Sequence, residues 1–210
     1  MEALAKKMAE AIGRGTGKSA EEIAVIAYGL IGILQFTTIF LLSTVVGIIF
    51  GFWLEVATVF LSVGFLRRLT GGAHSSGIYS CLVYSVFFVC GISALARYAM
   101  AAMPRQYCWI CCAVIFVFGY VTVALKAPVS PPNKPCRTEA KRKRLRRGSF
   151  VVLSLFMVAV GLAIFGGVKS PRLYSVGIAL ALSTLWQIVM MTKAGHAFVT
   201  LIDGLFSKKE

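Results

Sequence analysis

The sequence predicts an all-α fold, a polytopic membrane helical bundle of about six transmembrane helices. Of its 210 residues, 58% are hydrophobic and only 14% are charged, whereas soluble domains usually have about a quarter charged residues. The mean hydropathy is +0.82. The apolar residues also form long continuous runs, and a run of about 20 such residues crosses a bilayer as a helix.

The basic residues and the cysteines argue against two classes of protein, nucleic-acid-binding proteins and disulfide-stabilised scaffolds. A net charge of +14 is compatible with nucleic-acid binding, but the basic residues cluster between the apolar runs, as topology determinants do. We therefore expect no nucleic-acid partner. We also expect no cleavable signal peptide, no cofactor and no metal site. The cysteines lie mostly in apolar runs without framework spacing, which predicts no disulfide scaffold; they are Cys81, Cys90, Cys108, Cys111, Cys112 and Cys136.

The first 20 residues have helical periodicity. Apolar residues recur at helical spacing over residues 1–12, which predicts either an amphipathic helix on the membrane surface or a frayed terminus. Residues 13–19, GRGTGKS, resemble a phosphate-binding loop, but one residue is missing between the glycines and no strand precedes them. We interpret Ser19 and Glu22 instead as a capping box that opens the first long helix.

The apolar run from Ile23 to Leu66 is long enough for two spans. The segment from Ser43 to Gly47 predicts the turn between them, which leaves Glu55 inside the second span. A carboxylate there is costly and usually functional. The alternative is a later turn near Gly51, which puts Glu55 at the outer interface.

Four further spans follow, and the basic residues orient them. Residues 126–149 read as a basic cytoplasmic loop, and the tail has apolar residues at interfacial helical spacing. With both termini in the cytoplasm, 18 of the 22 Lys and Arg residues lie on the cytoplasmic side. We expect one membrane domain over residues 1–210; its later spans are Gly77–Met100, Tyr107–Leu125, Phe150–Gly166 and Leu173–Met191.

Residues 67–81, RRLTGGAHSSGIYSC, interrupt the apolar pattern at the predicted cytoplasmic face. We predict that Cys81 is a nucleophile and His74 its base. Arg67, Arg68 and the start of the next helix would favour the thiolate. In one straight helix residues 74 and 81 would lie about 10 Å apart along the axis, so the chain must bend at or after Gly71-Gly72 for them to meet.

Each of these residues alone has a simpler explanation. A cysteine in a span is usually inert packing, and a histidine near a basic turn is often interfacial. We interpret Cys108, Cys111 and Cys112 as packing, because no further zinc ligands lie nearby, and His196 as interfacial.

The string R-x3-GG-x-H-x6-C, from Arg67 to Cys81, resembles the accessory gene regulator B (AgrB) family of membrane cysteine peptidases in bacterial quorum sensing. The likeness extends to Tyr28-Gly29-Leu30, Leu54-Glu55 and residues 132–135, PNKP. The resemblance implies that Cys81 attacks an AgrD-like propeptide with His74 as base. The acidic tail would leave, and an internal Cys or Ser would take the acyl group from Cys81 to form a cyclic thiolactone or lactone. Arg67, Gly71, Gly72 and Glu55 would support the site.

Two further partners and two rival functions follow from the sequence. The basic cluster would attract an acidic peptide tail and anionic lipid, or would only fix topology; it comprises Lys141, Arg142, Lys143, Arg144, Arg146 and Arg147. The family resemblance and the small bundle also make a homodimer plausible. A small peptide transporter is the alternative function, disfavoured because the spans contain few polar residues, and a membrane scaffold is the other.

Overall fold

The computed structural model describes residues 1–207 apart from 74, 76, 130–137 and 169. Within these ranges the chain is helical and contains no strand, which confirms the predicted all-α class. Its elements are α1 (Glu2–Thr16), α2 (Ala20–Ile49), α3 (Trp53–Thr70), α4 (Ile78–Ala94), a π-helical stretch (Leu95–Ala99) with a 3₁₀ turn (Met100–Ala102), α5 (Arg105–Lys126), α6 (Glu139–Gly166), α7 (Pro171–Met190) and α8 (Lys193–Ser207).

The chain divides after Leu42 into two compact units, residues 1–42 and 43–210. In the first unit, α1 is a formed helix rather than a frayed terminus, and Leu4, Met8 and Ile12 are exposed along it. The Glu22 amide lies 3.3 Å from the Ser19 hydroxyl, and the Ser19 amide lies 2.9 Å from the Glu22 carboxylate. The predicted capping box is therefore confirmed.

In the second unit, α7 is the central helix. In its most apolar stretch 61% of residues are buried, against at most 39% in the other candidate spans. Small residues allow this packing: a Cβ at Gly177 would lie 2.6 Å from the Ala163 side chain of α6. Close approach at small residues is the usual way that membrane helices associate. The single-domain prediction stays a prediction.

Among the described residues, five helices are long and apolar enough to cross a membrane: α2, α4 with its π and 3₁₀ continuation, α5, α6 and α7. This confirms a polytopic helical bundle. The remaining long helix, α3, has 18 residues and includes Glu55, Arg67 and Arg68. Six spans and the orientation of the chain stay predictions.

Two predicted boundaries are wrong. α2 continues through Ser43 and Gly47 to Ile49, and the turn lies at Gly51, whose φ is +75°. The alternative turn position is thus correct, because a left-handed residue requires glycine whereas Ser and Thr fit in a helix. The basic stretch from Lys141 to Arg147 is helical and forms the start of α6, since Lys and Arg are good helix formers.

Candidate active site

The helical break after α3 organises the candidate site. α3 ends at Thr70, and α4 begins at Ile78. Gly71 and Gly72 have φ values of +69° and +136°, which side-chain-bearing residues rarely adopt. The predicted bend at the Gly-Gly pair is therefore confirmed, and a continuous helix from Arg67 through Cys81 is excluded.

Two other parts of the chain, α7 and the segment after α5, bind this break. The Ala73 N–H donates to the Met190 carbonyl at the end of α7 (2.9 Å), and the Val129 N–H donates to the Thr70 carbonyl (2.8 Å). From α7, the buried Gln187 places its Nε2 2.9 Å from the Thr70 hydroxyl and 2.8 Å from the Gly71 carbonyl. The described backbone groups at Thr70, Gly71 and Ala73 therefore find partners inside the protein.

Cys81 lies at the start of α4, half-buried. Its N–H donates to the carbonyl of the N-cap residue Gly77 at 3.1 Å, and its Sγ lies 4.0 Å from the Ser85 hydroxyl. The thiol therefore lies in the first turn of a helix, directly after the break that Arg67 binds.

Arg67, in the last turn of α3, also binds the break. One of its Nη atoms donates to the carbonyl of Ala73. Since Ala73 is itself bound to α7 through its N–H, its peptide groups are held from two directions. The predicted base, His74, lies outside the described residues.

A carboxylate that the sequence analysis missed binds Ser80, the residue before Cys81. Asp203 of α8 accepts a hydrogen bond from the Ser80 hydroxyl at 3.1 Å and one from the Ser75 hydroxyl. It is the only aspartate in the sequence, which was a usable signal. Gln187 was also missed, although a glutamine in an apolar span signals a hydrogen-bonding role.

Glu55 lies away from this site. Glu55 is in the first turn of α3 and Arg67 is in the last turn. The two residues are therefore separated by roughly 18 Å along the helix axis, at about 1.5 Å per residue. Its side chain is fully buried; Oε1 lies 2.5 Å from the Ser175 hydroxyl and 4.0 Å from Nη1 of Arg97. The structure therefore does not bring Glu55 to Cys81.

The basic cluster of α6 lies near the break. α6 packs on α3, and a Cβ at Gly148 would lie 3.3 Å from the Leu69 side chain, just before Thr70. Lys143 pairs with Glu139 at 2.9 Å, and Arg146 donates to the Ala124 carbonyl. The remaining basic side chains are exposed, so the start of α6 presents a positive surface at the same end of α3 as Arg67; they are Lys141, Arg142, Arg144 and Arg147.

The other candidate ligands do not converge. Across the described residues there is no group of three or more His, Cys, Asp or Glu side chains that could hold a metal ion. Cys108 is buried with its Sγ 2.8 Å from the Tyr174 hydroxyl, and His196 Nδ1 lies 2.9 Å from the Thr192 carbonyl of its own helix.

Comparison with known proteins identifies the family. The family model of accessory gene regulator B matches residues 5–191. The chain belongs to the AgrB family. It is 29% identical to a Clostridium perfringens strain SM101 protein named AgrB-like, over 99% of each chain. A second AgrB-like protein, from C. perfringens strain 13, is 28% identical with the same coverage.

A Halalkalibacterium halodurans AgrB-like protein is 27% identical over 93% of this chain and 88% of its own. No solved structure matches the chain. AgrB membership implies a role in the accessory gene regulator quorum-sensing system and a link to its AgrD propeptide. The candidate spans agree with a multi-pass membrane protein of that family.

Proposed function

We propose that this AgrB-family protein is a membrane cysteine endopeptidase that removes the C-terminal tail of an AgrD-like propeptide and promotes cyclisation of the remaining peptide. Cys81 is the nucleophile and His74 its base. The site lies near the cytoplasmic face of the bacterial cell membrane. The working form is a homodimer in contact with membrane lipid.

The observation that carries the proposal is the position of the Cys81 thiol. It is half-buried at the N-terminal end of a candidate span, immediately beyond a glycine-built break in which Arg67 binds the Ala73 carbonyl. The described Cys90, by contrast, lies in the interior of a candidate span, and Cys108 and Cys112 are buried. A nucleophilic cysteine needs an electropositive and partly accessible environment, and a half-buried position at a helix start supports that role for Cys81.

The reaction balances without a cofactor. The Cys81 thiolate adds to the scissile carbonyl, the C–N bond breaks, and the released amine takes the proton that His74 removed from the thiol. The peptide remains as a thioester on Cys81. A thiol or hydroxyl of the substrate then attacks that thioester, so the C–S bond to Cys81 breaks and a thiolactone or lactone ring forms.

Water must be kept from the thioester, because hydrolysis would give a linear acid instead of the ring. The break around Gly71 supports this requirement: its backbone is bound to protein groups from α7 and from the segment after α5. The basic cluster of α6 would hold the acidic tail of the substrate near this break by charge attraction.

The proposal is tested by co-expressing the chain with an AgrD-like propeptide and measuring tail release and ring formation by mass spectrometry. Cys81→Ala and His74→Ala should abolish both products. Cys90→Ala, on the same helix but in the interior of the span, is the matched control and should retain them. Tail release that persists in Cys81→Ala would contradict the peptidase proposal.

A further inference from the structure

A carboxylate from α8 binds the residue that precedes the candidate nucleophile. Oδ1 of Asp203 is 3.1 Å from the Ser80 hydroxyl and also accepts from Ser75. In the sequence, Ser80 precedes Cys81 and Ser75 follows His74. A single carboxylate therefore binds the residues adjoining both members of the proposed catalytic pair.

The two serines and Gly77 make this contact part of a compact network. The hydroxyls of Ser75 and Ser80 lie 2.7 Å apart, and each also reaches the Gly77 carbonyl, at 3.2 and 3.0 Å. Each hydroxyl has only one proton to donate, whereas a carboxylate oxygen accepts more than one hydrogen bond. Asp203 Oδ1 is thus a charged acceptor that both hydroxyls share, in addition to the Gly77 carbonyl.

We propose that Asp203 is a positioning residue of the candidate active site: through Ser75 and Ser80 it fixes the backbone on the two sides of the helix start that carries Cys81. This inference rests on the proposed peptidase function. A charged acceptor forms hydrogen bonds roughly twice as strong as a neutral one. The carboxylate can therefore restrain a segment whose glycines have more backbone freedom than other residues.

α8 has a second attachment that does not depend on Asp203. Phe198 of α8 packs edge-on against Phe88 of α4 and Trp186 of α7, with ring centroids 5.4 and 5.7 Å apart. Phe88 and Trp186 stack at 3.9 Å, and the adjacent Val199 is buried. Replacing Asp203 should therefore loosen the serine network while α8 stays docked.

The experiment measures tail release and Cys81 alkylation in the full-length protein in membranes. Asp203→Ala should lower kcat on the order of tenfold to a hundredfold, the loss expected when a reacting group is misplaced by about 1 Å, with KM changed by less than about twofold. Asp203→Asn keeps one oxygen acceptor and should lose less. Thr200→Ala is the matched control, because Thr200 is exposed on α8 and bonds only its own helix.

The serines provide a second test. If Asp203 acts through them, the combined Ser75→Ala and Ser80→Ala substitutions should cost as much as Asp203→Ala, and adding Asp203→Ala to them should cost little more. Full additivity, or an unchanged kcat in Asp203→Ala, would overturn the inference, as would an equal loss in Thr200→Ala.

Cys81 alkylation by a maleimide, followed at the Cys81 peptide by mass spectrometry, needs no substrate and separates the two proposals. A changed alkylation rate in Asp203→Ala but not in Thr200→Ala supports positioning, even if Cys81→Ala retains tail release and the peptidase proposal fails. An unchanged rate overturns positioning, whatever the activity of Cys81.

Discussion

The carbonyl oxygen of Val129 occupies the space that a side chain at Gly71 would need. A Cβ built on Gly71 would lie 1.8 Å from that oxygen, and the two residues form an isolated parallel bridge. The break between α3 and α4 therefore depends on glycine for its contacts as well as for its left-handed backbone.

Gly71→Ala should disrupt the site. The substitution places an alanine at φ +69°, which costs on the order of 1–3 kcal/mol, and it pushes Val129 away from Thr70. We expect tail release to fall at least about tenfold, because displacing a reacting group by about 1 Å slows a reaction by that order of magnitude or more.

The control for Gly71→Ala is Gly91→Ala, in the interior of α4, where a Cβ would meet nothing within 4 Å. This variant should keep wild-type activity and protein level. Equal activity of the two variants would contradict the structural role of Gly71.

Gln187 should be needed for the same break. Its Nε2 binds both the Thr70 hydroxyl and the Gly71 carbonyl. In Gln187→Leu the new side chain is similar in size but cannot donate a hydrogen bond to these buried groups, and the loss costs about 1–3 kcal/mol. We expect a lower thermal midpoint in detergent and reduced tail release.

Gln187→Glu supplies the informative comparison. It keeps the shape of the side chain but replaces the donor with an acceptor, so it should be at least as damaging as Gln187→Leu. Wild-type stability of the glutamate variant would show that the donated hydrogen bonds do not hold the break.

Glu55 should matter for stability rather than for catalysis, because it lies at the opposite end of α3 from Arg67. Glu55→Gln can still accept from Ser175, and we expect tail release within about twofold of wild type, a loss of less than about 0.5 kcal/mol. Glu55→Ala removes the buried acceptor of the Ser175 hydroxyl and should destabilise by about 1–3 kcal/mol.

Tail release and thermal unfolding, measured on the same purified samples, separate the two effects. A tenfold fall in tail release by Glu55→Gln at unchanged thermal midpoint would give Glu55 a part in the mechanism.

The basic cluster of α6 should bind the acidic tail of the substrate. Replacing the cluster with glutamine should raise KM and remove its salt dependence, because screened charge attraction is lost; the positions are Lys141, Arg142, Lys143, Arg144, Arg146 and Arg147. A propeptide with a neutral tail is the matched substrate, and its KM should not respond to the replacement.

Topology must be checked in the same variant by labelling both termini from each side of the membrane. Unchanged topology with unchanged KM would leave the cluster with no role in substrate binding.

Local features of the structure could be predicted from the sequence. The capping box at Ser19, the helix over the first residues and the break at Gly71-Gly72 each depend on residues close in the chain. The position of the first turn was ambiguous, because Gly47 and Gly51 are equally suitable glycines by composition. Only Gly51 takes the left-handed conformation; Gly47 stays helical and allows α3 to pass close by.

The partners of the candidate site could not be predicted, because they are far apart in the sequence. Gln187 meets Thr70 across 117 positions, and Asp203 meets Ser80 across 123. Helical periodicity reports which face of a helix is apolar but not which neighbour it meets. The single aspartate and the glutamine inside a span indicated that partners exist, not where they lie.

The contact of Asp203 with Ser75 and Ser80 has a consequence for biogenesis. Residues near the N-terminus leave the ribosome first, so the serines are synthesised long before the aspartate that binds them. During synthesis the start of α4 lacks this acceptor, and it gains it only when the last helix has been made and docked. Chains that stop before α8 would contain all the candidate spans yet keep an unfinished site, which ties full assembly of the Cys81 region to completion of the polypeptide.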